Sequence, residues 1–159
     1  MGDHAAMAES VPQPYPLDED PPSLVYMIGR INQGIRRELQ QRLVRWELSV
    51  PELTVLSVLQ RRPGLSNAQL ARRSMITPQS MNEIVAGLEQ RGLVARRADP
   101  AHGGILQTRL TPAGRGLLRR VQPTVDELQD KLLAEVPSAE REIVIRGFAA
   151  AMRALSGHT

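Results

Sequence analysis

The sequence predicts a mainly α-helical fold that carries one small β-hairpin. Aliphatic residues recur at spacings of three and four through most of the chain, which is the spacing of one face of a helix. Aromatic residues make up only 3% of the chain, so the core must be aliphatic, and this disfavours a β-sandwich. One interval, residues 93–110, has two alternating segments around a centre that contains Pro and Gly, as a hairpin does.

The first helix is predicted over residues 24–43. It follows a Pro-rich, acidic segment, residues 1–22, which we expect to be an extended or disordered arm. A second helix should begin after Ser49, because Ser49-Val-Pro-Glu52 has the form of a capping box, in which the two side chains satisfy orphan backbone amides. The run Arg61-Arg62-Pro63-Gly64 should end it.

Two further helices are predicted from their first residues. Ser66-Asn-Ala-Gln69 is a second capping box and opens a short helix. Thr77-Pro78 opens a longer one, because Thr is a good N-cap and Pro is favoured at the first helical position. Gly92 should end this helix as a left-handed cap.

The hairpin should consist of strands at residues 93–98 and 105–110. In the second strand, alternation places Leu106, Thr108 and Leu110 on one face and Gln107 and Arg109 on the other. Thr111-Pro112 should cap the next helix, in which Pro123 is expected to introduce a kink. The last helix is predicted to begin at Pro137-Ser138. Its apolar residues are Ile143, Ile145, Phe148, Met152 and Leu155.

Positive charge is concentrated in the middle of the chain. The net charge is −5 over residues 1–23, +2 over 24–60, +8 over 61–120 and −2 over 121–159, and every base except Lys131 is an arginine. Such a block is typical of a surface that binds a polyanion, although a solvated basic face would have the same composition.

Several classes of function are disfavoured by what the sequence lacks. The absence of cysteine excludes disulfides, thiolate metal sites and thiol redox sensing. No apolar run approaches the roughly 18 residues of a membrane span, and no signal-peptide pattern is present, so we expect a cytoplasmic protein with no membrane partner. The histidines, at positions 4, 102 and 158, fit no metal-binding or catalytic motif, and we expect neither an enzyme nor a cofactor.

The predicted order of elements is helix, helix, helix, strand, loop, strand and helix, which is the order of a winged helix-turn-helix. In that order the helix that begins after Thr77 is the one that reads DNA. Such a helix enters the major groove N-terminus first, where Gln and Asn can bond adenine and Ser can bond either base. The candidate base-reading side chains are Gln79, Ser80 and Asn82. The N-terminal ends of two helices are candidate phosphate sites. One end is at Thr77 and Pro78 and the other is at Ser66 and Asn67. The candidate phosphate-binding arginines are Arg61, Arg62, Arg72, Arg73, Arg96, Arg97 and Arg109. The alternative is that all of these are ordinary exposed polar residues.

The same region resembles the MarR family of bacterial regulators, in element order over residues 24–155 and in motif detail over 53–116. The motifs that carry the resemblance are Gln69-Leu70-Ala71, Leu88-Glu89-x-x-Gly92-Leu93-Val94-x-Arg96, Asp99-Pro100 and Leu110-Thr111-x-x-Gly114. The resemblance implies a ligand-responsive repressor that binds a pseudo-palindromic operator as a homodimer. Residues 23–48 and 117–159 would form its all-helical dimerisation region, and 49–116 its winged helix-turn-helix.

The sequence departs from the family at two places. Similar proteins carry an arginine at the tip of the hairpin, or wing, where this chain reads His102-Gly103-Gly104. We therefore expect the wing to position the protein more than it reads bases, with His102 and Gly103 as candidate contacts. Glu83 occupies a position that is often basic in the family, and it either reads cytosine or pairs with a nearby arginine.

Similar proteins also bind small aromatic acids or phenols between the dimerisation helices and the winged domain. The candidate lining residues here are Gln33, Arg36, Trp46, Leu53 and Ser57. Arg36 could hold a carboxylate by two hydrogen bonds, although all five could equally be surface or packing residues. The missing wing arginine supports a second hypothesis, in which a winged-helix dimer with weakened DNA reading acts as a protein-interaction module.

Overall fold

The described part of the protein, taken from a computed structural model, consists of residues 22–99, 101 and 103–156. The predicted acidic arm therefore lies outside the described residues, apart from Pro22. The helices are α1 (Leu24–Leu43), α2 (Val50–Arg61), α3 (Asn67–Ser74), α4 (Pro78–Gln90), α5 (Pro112–Leu132) and α6 (Arg141–Ser156). The strands are β1 (Leu65–Ser66), β2 (Val94–Ala98) and β3 (Leu106–Leu110), and a short 3-10 turn, Val44–Trp46, follows α1.

The predicted helix caps are present and explain where these helices begin. At α2 the Ser49 side chain accepts a hydrogen bond from the Glu52 amide (3.3 Å), and Glu52 accepts one from the Ser49 amide (2.7 Å). Ser66 and Gln69 form the same reciprocal pair at α3. After α4, Gly92 has the left-handed φ of 68° that the sequence predicted for a glycine cap.

The sheet contains one strand that the sequence did not predict. β3 is its central strand, and it pairs antiparallel with β2 on one side and with the two-residue β1 on the other. The register places Val94 opposite Leu110 and Arg96 opposite Thr108. The predicted burial along β3 holds at Thr108 and Leu110, which are buried while Arg109 is exposed, but Leu106, near the hairpin tip, is 51% exposed.

One expectation about the C-terminal helices needs correction. α6 begins at Arg141 and not at Pro137-Ser138, because residues 137–140 form a turn in which the Glu140 amide donates to the Pro137 carbonyl (2.8 Å). α5 runs from Pro112 to Leu132 with Pro123 inside it, and the kink expected at Pro123 stays a prediction. None of the helices that the structure describes is long and apolar enough to cross a membrane.

The core lies where α2, α3, α4 and α5 meet the sheet and the end of α1. Its fully buried side chains are mostly aliphatic, as expected, with Thr108 and Thr124 as the buried polar residues, and the largest are Leu43, Leu56, Leu59, Leu70, Met81 and Leu88. α5 begins against β2, since the Thr111 amide donates to the Leu93 carbonyl (3.1 Å). By contrast, large apolar side chains remain exposed along the first half of α1 and along α6.

Candidate nucleic-acid interface

The N-terminal end of α4 presents the predicted base-reading side chains to solvent. Gln79, Ser80 and Asn82 are all exposed in the first turns of the helix. Thr77 caps it, because its Oγ1 accepts a hydrogen bond from the Ser80 amide (3.2 Å). The Thr77 hydroxyl in turn donates to Ser80 Oγ (3.0 Å). The exposed side-chain amides of Gln79 and Asn82 have the donors and acceptors that can bond a base edge.

The two helices of the helix-turn-helix are tied together at this end. Asn67, the first residue of α3, donates from Nδ2 to the Pro78 carbonyl (3.4 Å). The Ser66 side chain caps α3 through the Gln69 amide. Ser66, Asn67 and Thr77 therefore fix the mutual position of the two helix N-termini, whose remaining amides are suited to bind phosphate oxygens.

The hairpin places its arginines on different faces. Residues that pair across strands lie on the same side of a sheet, so the pairs Arg97–Gln107 and Ala95–Arg109 share the outer face. Arg109 donates from Nη2 to Gln107 Oε1 (3.0 Å). Arg97 is exposed. Both guanidinium groups of this face are therefore available to a polyanion that approaches from outside.

Arg96 lies on the opposite face and is bound to α4. Its Nε donates to Glu89 Oε2 (2.8 Å), its Nη2 donates to the same oxygen, and its amide donates to Glu89 Oε1 (3.3 Å). The hydrogen bond from Arg96 lowers the pKa of Glu89, and the same bond raises the pKa of Arg96. Arg96 was predicted as a phosphate contact, and the structure shows that its guanidinium clamps the hairpin to the reading helix.

Asp99 holds the backbone of the hairpin tip by hydrogen bonds, and the space around Gly103 and Gly104 is empty. The Asp99 side chain accepts a hydrogen bond from the Ala101 amide (2.9 Å), and its own amide donates to the Ile105 carbonyl (2.8 Å). Gly103 and Gly104 have no heavy atom within 4 Å of a built Cβ and no positive φ. The backbone therefore does not require glycine here. His102 lies outside the described residues.

The remaining predicted arginines lie together in another place. Arg72 and Arg73, in the last turn of α3, join Arg61 and Arg62 around a groove of about 720 Å³ whose other lining residues include Met152 and Leu155 of α6. We call this the arginine groove. Glu83, on α4, is exposed and has no ion pair among the described residues, so the pairing proposed for it from the sequence is not seen.

A second cavity, of about 310 Å³, lies between α1, α2 and α5, and we call it the crevice. It brings together two of the five predicted ligand residues, Leu53 and Ser57. Gln33 lines a different cavity between α1 and α5, and Arg36 is not among the residues that line the crevice. Trp46 packs elsewhere, with the Arg45 guanidinium 5.2 Å from its ring centroid.

Three residues shape these sites in ways that the sequence did not predict, and one of them, Arg61, was expected only as a phosphate contact. Arg61 is a cation that lines the crevice, and Glu89 and Asp99 hold the wing. Glu89 and Arg96 carry opposite charges and lie seven residues apart within one motif. Because a turn joins the helix of Glu89 to the strand of Arg96, the sequence could have predicted that the two side chains meet. Arg61 gave no comparable signal, because its place depends on how α5 crosses α2.

An exposed helix start rich in amides, a basic hairpin beside it and a capped helix before it define a winged helix-turn-helix DNA-binding protein. The sequence model of the MarR family matches residues 46–103. The chain is 36% identical over 125 residues to the HTH-type transcriptional repressor Rv2887 of Mycobacterium tuberculosis, which covers 79% of this chain and 89% of that one. The protein belongs to the MarR family, whose members are DNA-binding transcriptional regulators and not enzymes.

Solved structures of that mycobacterial protein share the fold. Its complex with salicylic acid has a TM-score of 0.70 and 33% identity, covering 83% of this chain and 98% of that one. Its complex with DNA has a TM-score of 0.70 and 32% identity over the same shares. The reduced form of MarR from Escherichia coli, at 17% identity and a TM-score of 0.74, supports the fold alone.

Proposed function

We propose that this protein is a sequence-specific repressor that binds a pseudo-palindromic operator as a homodimer and responds to a small aromatic acid. The observation that carries the proposal is the exposed pair Gln79 and Asn82 at the capped start of α4. Phosphate contacts come from the helix N-termini and from the outer wing face with Arg97 and Arg109. The mycobacterial relative that was solved in complex with DNA supports DNA binding.

The test of DNA reading starts with a selection of bound sequences from random duplexes. Gln79→Ala and Asn82→Ala should each weaken binding to the selected site by about 1–3 kcal/mol, with a smaller loss on scrambled DNA. Gln90→Ala is the matched control, because Gln90 is an exposed amide at the other end of the same helix, about 16 Å away. Equal losses on both DNAs would contradict base reading.

A salt titration on random duplex separates this function from the interaction-module alternative. A protein that uses several arginines on phosphates loses affinity steeply as salt rises, because each contact releases a condensed counterion. A module that has lost DNA reading would show little binding even at low salt.

Exposed apolar surface supports the homodimer. On α1, Leu24, Val25 and Tyr26 are between 52% and 82% exposed. On α6, Ile143 and Phe148 are 59% and 44% exposed. So many exposed large apolar side chains are costly to leave in water, and a symmetric second copy would cover both helices. Sedimentation of the full chain would test this, and a stable monomer at micromolar concentration would contradict it.

The crevice is the proposed effector site. Its walls are mostly aliphatic, from Leu39, Leu53, Val121 and neighbouring residues, and Ser57 and Arg61 add a hydroxyl and a cation. An aromatic ring suits such walls, and a guanidinium suits a carboxylate. The salicylic acid complex of the mycobacterial relative is consistent with this ligand class.

The identity of the carboxylate partner can be decided by two matched substitutions. Arg61→Gln should weaken salicylate binding about tenfold if the crevice binds it, because a hydrogen bond to a charged group is worth about 1.5–3 kcal/mol. Arg36→Gln should leave binding unchanged. The reverse result would assign the carboxylate to the arginine predicted from the sequence.

A further inference from the structure

We propose that Glu83 is a specificity-determining residue, which accepts a hydrogen bond from the exocyclic amine of a cytosine in the major groove. This role rests on the proposed function and deepens it, since it assigns a base to one more side chain of α4. Three features of the helix carry it: the charge of Glu83, its place on the exposed face and the small side chains that follow it.

Glu83 is the carboxylate of α4 that has no cationic partner among the described residues. The helix contains two carboxylates, Glu83 and Glu89, and no lysine or arginine. Glu89 is paired with Arg96, whereas Glu83 forms no ion pair within the described part of the chain. On a surface that approaches a polyanion, such a carboxylate is repelled by the phosphates unless it meets a hydrogen-bond donor there.

Glu83 shares the exposed face of α4 with the predicted base-reading residues. A helix turns by about 100° and rises by about 1.5 Å per residue, so Glu83 lies about 40° around the axis from Gln79 and about 6 Å further along it. Asn82 lies about 60° from Gln79 on the other side. All three side chains are exposed. Two stacked base pairs span about 7 Å, so Glu83 faces a base within about two pairs of the one that Gln79 contacts.

The side chains that follow Glu83 on this face are small. Ala86 and Gly87 lie one turn further along α4, and both are half-buried. A Cβ at Gly87 would have no heavy atom within 4 Å, so packing inside the chain does not require glycine there. Small side chains allow a helix to approach a DNA groove closely. The carboxylate of Glu83 can therefore reach a base edge.

Cytosine is the base that suits a carboxylate. An ionised carboxylate only accepts hydrogen bonds, and the donors in the major groove are the N4 amine of cytosine and the N6 amine of adenine. The adenine amine lies between two acceptors, N7 of its own ring and O4 of the paired thymine. The cytosine amine has an acceptor on one side only, O6 of the paired guanine. Repulsion of the carboxylate by neighbouring acceptors is therefore weaker at cytosine.

The test is a selection of bound duplexes from random DNA with the full chain and with two variants, Glu83→Ala and Glu83→Gln. The unsubstituted protein should select cytosine at one position of each half-site, by about fivefold or more over the other bases. Glu83→Ala should lose this preference. Glu83→Gln should shift it toward adenine, because a side-chain amide bonds adenine by two hydrogen bonds. Preferences at the other positions should persist.

Two binding measurements separate base reading from the effect of charge alone. N4-methylcytosine at the selected position keeps the base pair but blocks the amine hydrogen that faces the groove. It should weaken binding of the unsubstituted protein about fivefold or more relative to its effect on Glu83→Ala. On random duplex DNA, Glu83→Gln should bind more tightly than the parent, because a repulsive charge is removed. Glu135→Gln, the same change in the exposed turn after α5, should reproduce neither effect.

Two results would overturn the role of Glu83 and leave the proposed function intact. The first is a selected site at which both variants keep the cytosine preference of the parent. The second is tighter binding of Glu83→Gln to every duplex with unchanged base preference, since Glu83 would then act by repulsion alone. If the parent protein selects no sequence, sequence-specific binding itself is wrong, and the role of Glu83 is wrong with it.

Discussion

Replacing Gly114 with alanine should weaken the junction between α5 and the sheet. A Cβ at this position would lie 2.1 Å from the carbonyl oxygen of Leu93 and 3.3 Å from Leu110 Cδ2, whereas ordinary contacts begin near 3.4 Å. The obstacle is backbone, so it cannot rotate away as a side chain would. The first turn of α5 must move away from β2.

The size of the effect follows from three contributions. Overpacking of this kind costs about 1–3 kcal/mol, and here the upper end applies because the overlap is with backbone. Displacing α5 also strains the hydrogen bond from the Thr111 amide to the Leu93 carbonyl, which is worth about 1 kcal/mol. Alanine returns about 0.5–1 kcal/mol because it restricts the unfolded chain more than glycine does. The net loss is about 3 kcal/mol.

The assay is thermal unfolding at one fixed protein concentration, since a dimer melts at a concentration-dependent temperature. For a chain of this length a loss of 3 kcal/mol lowers Tm by about 6–12 °C. Gly116→Ala is the control, because a Cβ there would meet only the ends of two arginine side chains, at 3.6 and 3.8 Å. It should raise Tm slightly. If Gly114→Ala melts within about 2 °C of the parent protein, the close approach of α5 to β2 is not as described.

Two further predictions concern the hairpin. Gly104→Arg should fold normally, because no atom lies within 4 Å of the position its Cβ would take. It should tighten DNA binding most on A·T-rich flanks, where the narrow minor groove attracts arginine. An equal gain on G·C-rich flanks in a binding assay would refute minor-groove entry. Glu89→Gln should cost about 0.2–1 kcal/mol at neutral pH, because the pair with Arg96 is about one-third exposed. Since that pair lowers the pKa of Glu89, its contribution is present above the ordinary carboxyl value and lost as pH falls below it. Urea unfolding should therefore show the difference between parent and variant shrinking as the pH falls below the ordinary carboxyl range, and a difference independent of pH would contradict the pairing.

Elements whose ends are fixed by local chemistry could be predicted from the sequence. The caps at Ser49, Ser66 and Thr77 each satisfy a backbone amide three residues away, so four adjacent residues contain all the necessary information. The same is true of Gly92, whose left-handed backbone favours a residue without a Cβ.

Elements that depend on a distant partner could not be predicted in this way. β1 has two residues and becomes a strand only because Leu65 and Ser66 pair with Thr108 and Gln107. The start of α6 was misplaced, because the proline that favours a first helical turn is here followed by a separate turn. Only two of the five predicted ligand residues, Leu53 and Ser57, line the crevice. The crevice is formed where α1, α2 and α5 cross, and the angles at which helices cross cannot be predicted from local sequence.

The clamp between Glu89 and Arg96 has a consequence for how this domain can change shape. It joins the hairpin to the C-terminal end of α4 by three hydrogen bonds, and these must break if the hairpin and α4 are to tilt independently. A movement of α4 that keeps these three hydrogen bonds carries the wing with it. The glycines at the tip, Gly103 and Gly104, shorten the distance over which the wing can contact a partner, but they leave its orientation relative to α4 unchanged.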